Sequence, residues 1–308
     1  MKKIVLIIAV CLCSCSTDLT VTLEEVPKDT QAFQKLVIGQ LSGELPINIS
    51  QRKAMFLRSR WSTKERKVAR FYLKAILENF GMQAHDHSYA SGNVNPGVDL
   101  LIEPLRGTNL FTILPAIEKT DEYIVLGAHY DTGGKNVPGA IDNGSGIALI
   151  LSVLKESIKL GTRNKNLLVV FFDQEEEDIS AGSLAFAKYM IKNKMTVHSV
   201  HSFDLIGWDG DNNKEIELAL PNEKIEKIYR KQATKLNIPI YTSTVKSSDH
   251  FSFIRHGLPA VCVSQALSKG DSSGKKDTPE DGFQLVNFEF LSSATNLAIA
   301  VIKDLLND

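Results

Sequence analysis

Apolar residues along this chain fall into two alternating patterns. Short runs, apolar at nearly every position, occur at Asn109–Leu114, Tyr123–Ala128, Asn166–Asp173, Ser199–Ile206, Ile216–Leu220 and Leu258–Ser264. Strands buried on both faces read this way, because neither set of alternate side chains meets water. Between the runs, apolar positions recur at helical spacing over Ser145–Leu160, Leu184–Asn193, Glu223–Leu236, Asp249–Arg255 and Phe288–Leu306. Upstream, one helix is predicted from Thr30 and another over Val68–Phe80, stopped at Gly81, a residue suited to a left-handed cap. Ser62-Thr63-Lys64-Glu65 ahead of it forms a capping box, in which Glu65 reaches back to the Ser62 backbone. His85 and His87 alternate on a further predicted strand and are expected at the surface. Strands alternating with helices predict a single α/β domain over residues 29–308. Its central sheet is expected to be mostly parallel but mixed, with helices on both faces.

The first residues follow a different rule. Lys2 and Lys3 precede the apolar run Ile4 to Cys13, which is far too short to span a bilayer. A basic start followed by such a run reads as a secretory signal. The run ends in Leu12-Cys13-Ser14-Cys15, which resembles the lipobox of bacterial lipoproteins, with Cys15 as the lipidated residue. The expectation is a signal peptide over residues 1–14, a polar tether over 15–28, and a protein held to the bacterial cell envelope by its lipid alone. Cys11 and Cys13 lie in the leader and Cys15 is taken by the lipid, so no intramolecular disulfide is expected in the mature chain, and Cys262, in an apolar run, is expected as a core thiol. The formal net charge is −1, which gives no electrostatic footprint for nucleic acid.

The candidate chemistry collects just after the strands. Tyr123–Ala128 runs into His129-Tyr130-Asp131, and a short loop leads to Asp142-Asn143-Gly144-Ser145-Gly146 at the start of a helix. Leu167–Phe172 runs into Asp173-Gln174-Glu175-Glu176-Glu177, and Ser199–Phe203 into Asp204. In doubly covered sheets, ligands bind outside the carboxyl ends of the strands. Carboxylates gathered there around an imidazole repel one another unless a cation neutralises them, so the pattern asks for metal.

In Gly127-Ala128-His129-Tyr130-Asp131-Thr132, Pro138–Gly146, Phe171–Glu176, Phe203–Gly207 and Ser248-Asp249-His250, the chain resembles the zinc-dependent aminopeptidases, a family that includes glutamate carboxypeptidase and the animal-type glutaminyl cyclases. The resemblance covers roughly residues 60–306. It implies that His129 and Asp204 hold one zinc, Glu176 the other, and that Asp142 bridges them. It also implies that Asp131 orients His129 and that Glu175 is the general base, taking a proton from metal-activated water. Zinc accepts nitrogen and carboxylate oxygen donors and keeps an open position when catalytic. Two zinc ions are expected, or one, with manganese or cobalt as alternates. Phe171-Phe172-Asp173-Gln174 places the base–ligand pair at Glu175 and Glu176. The downstream Gly182-Ser183 would instead place it at Glu176 and Glu177, but the strand anchor lies nearer the chemistry and is preferred.

The family draws its last ligand from a His-Thr-Pro-x-Asp motif. Here the matching stretch is Lys276-Asp277-Thr278-Pro279-Glu280-Asp281, with Asp277 in the histidine's place. Aspartate ligates divalent ions through oxygen, so Asp277 is the expected fifth ligand and His250 the reserve. His198, His201 and His256 are expected as structural histidines, and Trp208 as packing. The function implied is an aminopeptidase acting on peptides. Its rivals are a glutaminyl cyclase on the same fold and a non-catalytic surface domain with an impaired metal site.

Overall fold

A computed structural model describes residues 20–308 apart from 24, 51–52, 91–105 and 177–179. The leader and Cys15, and the Glu177 of the alternative register, lie outside the described residues. Eight strands form one sheet: β1 (His85–Ala90), β2 (Arg106–Leu114), β3 (Glu122–His129), β4 (Asn166–Phe172), β5 (Thr196–Phe203), β6 (Ile216–Ala219), β7 (Ile240–Ser243) and β8 (Ala260–Gln265). Their order is β1-β2-β4-β3-β5-β8-β6-β7. The four central strands, β4, β3, β5 and β8, are parallel, and antiparallel pairs appear only toward the two edges. The sheet is therefore the mixed, mostly parallel one that the apolar runs predict.

The helices are α1 (Thr30–Leu41), α2 (Thr63–Asn79), α3 (Gly146–Ile158), α4 (Ala181–Lys192), α5 (Glu223–Leu236), α6 (His250–Ile254) and α7 (Phe288–Asn307). Alternate residues of a strand point to opposite faces. Along β4, Leu167, Val169 and Phe171 join a core with side chains of α1, α2, α3, α5 and α7, while Leu168, Val170 and Phe172 join a second core with Phe186 and Met190 of α4 and Phe253 of α6. Both faces are thus covered, which is why β4 is buried at every position. The capping box of α2 forms as predicted: the Ser62 side chain accepts from the Glu65 backbone and Glu65 from the Ser62 backbone.

The structure differs from the sequence reading in three places. His85 and His87 are half-buried, not at the surface. His87 lies over Tyr89 and against Phe186 and Tyr189, because β1 turns this row of side chains onto the aromatic end of α4. The short edge strand β7 was not predicted; Ile-Tyr-Thr-Ser is only partly buried there and offers little pattern. Part of the predicted tether also lies against the domain, since Val21, Leu23 and Val26 pack on the core and Lys155 donates to the Pro27 carbonyl.

The topology fixes where a site can form. From β3 the chain crosses through α3 to β4 on one side, then through α4 to β5 on the other. The order reverses at β3, and the crevice at its carboxyl end is where such sheets bind ligands.

Candidate metal centre

His129 is the last residue of β3 and is 1% exposed. Its Nε2 lies 3.0 Å from Asp142 Oδ1 and 3.5 Å from Asp204 Oδ1, and its Nδ1 lies 3.4 Å from Asp131 Oδ1. Asp204 follows β5 directly, so neighbouring strand ends deliver both groups. Asp142 comes from an irregular turn, 140–145, that leaves helical geometry at Asp142 (φ −108°, ψ 92°) and Asn143 before α3 begins. Side chains lock that turn in place. Asn143 Nδ2 donates to the Phe203 carbonyl at the end of β5, and Asp281 accepts from the backbone N–H groups of Ile141 and Asp142, each at 3.0 Å.

Glu175 and Glu176 follow β4, and their placement depends on Asp131. Its carboxylate accepts the Glu175 N–H on one oxygen and the Glu176 N–H on the other, both at 3.1 Å. Asp131 therefore sits beside the imidazole and also fixes the backbone of the glutamate pair. Burial opposes its ionisation, but His129 and the two N–H groups outweigh this and hold it below the usual carboxylate range. Glu175 Oε1 accepts from Ser180 Oγ at 3.1 Å. Burial, with Asp204, Asp142 and Asp131 nearby, raises the Glu175 pKa to about 7 despite the opposing influence of His129. Burial and the adjacent Asp142 carry Glu176 to about 9. Around His129, burial opposes the charged ring, yet Asp131, Asp142 and Asp204 drive its pKa well above the ordinary histidine range. The site is short of positive charge.

One donor atom each from His129, Asp142 and Glu176 lies within 4.8 Å of the others. Both ring nitrogens of His129, both carboxylate oxygens of Asp142, Oε1 of Glu176 and Oδ1 of Asp204 are buried without a hydrogen bond, and the ion-pair contacts of His129, Asp142 and Asp204 run only to one another, to Asp131 and to Lys276. Buried polar atoms are normally satisfied, so orphans concentrated in one crevice mark where a ligand belongs.

Asp277, expected as the fifth ligand, stands apart from the gathered three. Its side chain is 41% exposed and lies beside the Glu176 carboxyl and over Gly133, where an added Cβ would come within 2.4 Å of Oδ1. The backbone turns at Asp277 (φ 58°), and it is Lys276 that reaches inward, placing Nζ 3.1 Å from Asp142 Oδ2. His250 is engaged with the Val245 carbonyl at 3.1 Å, and burial lowers its pKa. His201 is buried with Tyr229 Oη and Ser199 Oγ as partners, His256 bonds the Ser252 carbonyl, and Trp208 packs on the core with Nε1 on Asp271. Cys262 is a buried free thiol, as expected.

Sequence reasoning gave no role to three buried charged residues near the site. Asp281 carried a signal, because it ends the Thr-Pro-x-Asp stretch. Asp249 was quoted in a motif without a role; it is buried with both oxygens unpartnered, and burial together with Glu175 raises its pKa well above the usual value. Arg60 carried none: it is fully buried and donates to the carbonyls of Tyr130, Leu41, Pro138 and Gly139, all close to the site or its supports.

The fold and this donor set define an α/β protein with a carboxylate-rich metal site at its sheet's switch point. The chain belongs to peptidase family M28, whose profile matches residues 109–302. It is similar to a probable leucine aminopeptidase of Trichophyton verrucosum, 26% identical over 235 residues, 70% of this chain and 62% of the relative. Leucine aminopeptidase 1 of Penicillium rubens is 24% identical over 218 residues, 63% and 56% of the two chains. The chain thus spans about three fifths of the length of these curated relatives. Among solved structures, its fold matches BSAP, a zinc aminopeptidase from Bacillus subtilis, with a TM-score of 0.75 at 14% identity, covering 92% of this chain and 97% of that one. It also matches a glutaminyl cyclase from an Acidobacteriales bacterium, with a TM-score of 0.71 at 17% identity, covering 92% and 99%. Family membership implies a metal cofactor, and the buried nitrogen and carboxylate donors of His129, Asp142, Glu176 and Asp204, which make no hydrogen bond, fit one.

Proposed function

We propose that this chain is an exported, lipid-anchored metallo-aminopeptidase that removes N-terminal residues from peptides. The observation that carries the reading is the gathering of buried nitrogen and carboxylate donors from His129, Asp142, Glu176 and Asp204 in one crevice, with Glu175 beside it. His129, Asp142, Glu176 and Asp204 would hold the metal. When bound, a divalent ion such as zinc supplies positive charge that acidifies water and polarises a peptide carbonyl. Glu175 takes the proton of the attacking water on its carboxylate and returns it to the leaving amine, and its raised pKa suits both transfers. Asp131 holds the His129 ring in orientation and fixes the Glu175 backbone, so one carboxylate sets the base relative to the ligand. The mouth beside Glu175 and Glu176 is a cavity of about 260 Å³ lined also by Ser248, Phe251, Arg255 and Lys276, with room for a peptide end.

The test joins elemental analysis to assays on aminoacyl-nitroanilides and on peptides with N-terminal glutamine. The expected result is bound zinc, release of nitroaniline, loss of both on chelation and recovery of both on adding zinc back. Cyclisation of N-terminal glutamine without nitroanilide hydrolysis would select the cyclase reading. A chain that binds no metal would leave the non-catalytic one.

The anchor rests on Leu12-Cys13-Ser14-Cys15 after a short apolar leader. Several acyl chains hold a protein to a membrane where one alone binds marginally. Cys15→Ala is therefore expected to abolish palmitate labelling and move the protein to the aqueous fraction. Equal labelling of both forms would refute the anchor.

A further inference from the structure

We propose that the Lys276 ammonium takes the second cation position at Asp142, on its Oδ2 oxygen, so that this chain holds one divalent ion, among His129, Asp142, Glu176 and Asp204, and not two. The proposal rests on the metal-site reading above and concerns how this chain neutralises it.

Asp142 is 1% exposed, and its two carboxylate oxygens face different partners. Oδ1 lies 3.0 Å from His129 Nε2, on the side where Asp204 Oδ1 is 3.5 Å from the same nitrogen. Oδ2 lies 3.1 Å from Lys276 Nζ. A carboxylate that bridges two metal ions needs a cation at each oxygen. Here the second oxygen already has one, supplied by the chain itself. Lys276 is 41% exposed at the side chain, so its stem enters from the surface loop and only its tip meets the buried carboxylate. An ammonium suits the place: it is a compact charge with three donors on a flexible stem. The exposed Asp277 next to it lies 4.0 Å from the same Nζ.

The donors on each side point the same way. The His129 side offers an imidazole and two carboxylates, a set that zinc accepts. On the Lys276 side, Asp142 Oδ2 meets an ammonium, with the Asp277 carboxylate within 4.0 Å of the same Nζ, and a lysine cannot ligate while protonated. A divalent ion placed there would have to expel the ammonium and leave it in contact with a second positive charge. One ion together with one ammonium neutralises the cluster without that conflict.

The experiment counts zinc per chain in the full-length protein by native mass spectrometry and elemental analysis after equilibration with excess zinc. The parent and Lys276→Arg are expected to carry one equivalent. Lys276→Met, with a stem of similar length and no charge, is expected to carry two. As a readout independent of any variant's folding, Lys276 of the parent is labelled with acetic anhydride beside Lys275. It is expected to react more slowly than Lys275, and equally slowly with and without zinc. Two equivalents in the parent, one in a folded Lys276→Met chain, or zinc-dependent exposure of Lys276 to the reagent would each overturn the proposal. A parent chain with no zinc would overturn both this proposal and the metal reading. One equivalent without peptidase activity would sink only the proposed function.

Discussion

Glu175→Gln is expected to lower kcat by roughly two to four orders of magnitude, the usual weight of a positioned general base, while zinc content stays at the parent's level. The substitution preserves shape. The glutamine carbonyl still accepts the Ser180 hydroxyl that Glu175 Oε1 accepts at 3.1 Å, and the backbone N–H of residue 175 still meets Asp131. Only the capacity to take a proton is removed. Glu176→Gln gives the opposite split in metal: its carboxylate is one of three groups whose donors lie within 4.8 Å, and neutralising it is expected to weaken ion retention along with turnover. The pair of variants decides the register as well. Were residue 176 to behave as the base and 177 as the metal-linked group, the shorter alignment from Gly182-Ser183 would be the correct one. A Glu175→Gln chain with parental kcat would remove the general base altogether.

Much of this site was legible because the strands are legible. A run apolar at every position means a strand covered on both faces, and β4, buried throughout, is the clearest case. Once β3, β4 and β5 are recognised, the polar residues that follow them must share one edge, and His129, Glu176 and Asp204 do. Asp142 was harder, since it lies on a loop, and only its position at the start of α3 tied it to the same edge.

What the sequence withheld depends on contacts between distant segments. The family resemblance assigns Asp131 to the His129 ring, but its bonds to the Glu175 and Glu176 backbone exist only because β4 lies next to β3. At Asp277 the backbone is left-handed and the side chain lies beside Glu176, while the neighbouring Lys276 reaches the Asp142 carboxylate. No local pattern encodes that choice. His85 and His87 show the same limit: alternation placed them on one face of β1, but which face met the aromatic side chains of α4 was set by the sheet's order.

Arg60 is the residue most completely hidden from sequence reasoning, and its removal carries the largest expected stability effect. It is fully buried, and burial lowers its pKa to about 10, with Asp281, Asp131, Asp142 and Glu176 acting in the opposite direction, so it is charged at neutral pH. Its Nε donates to the Tyr130 carbonyl at 2.7 Å, one terminal nitrogen to Leu41 and Pro138, and the other to Gly139 at 2.9 Å. These carbonyls belong to the end of α1, the residue after His129, and the loop that leads into the Asp142 turn. Gly139 has φ 61° and little space around it, since an added Cβ would come within 2.6 Å of the guanidinium. One planar group therefore holds together the segments that aim His129 and Asp142. Arg60→Ala leaves four carbonyls facing a void, and breaking a buried charged network of this kind costs about 3–5 kcal/mol. Against a total stability of roughly 5–15 kcal/mol, that is a substantial fraction. The guanidinium midpoint of the full chain is expected to fall accordingly, and zinc retention with it. Arg60→Lys keeps the charge but not the fork, so it can satisfy only part of the set and should recover only part of the loss. An alanine variant with the parent's midpoint and zinc content would show that the loop before Asp142 is held by other contacts. Full recovery by lysine would mean that the charge, and not the planar geometry, is what the site requires.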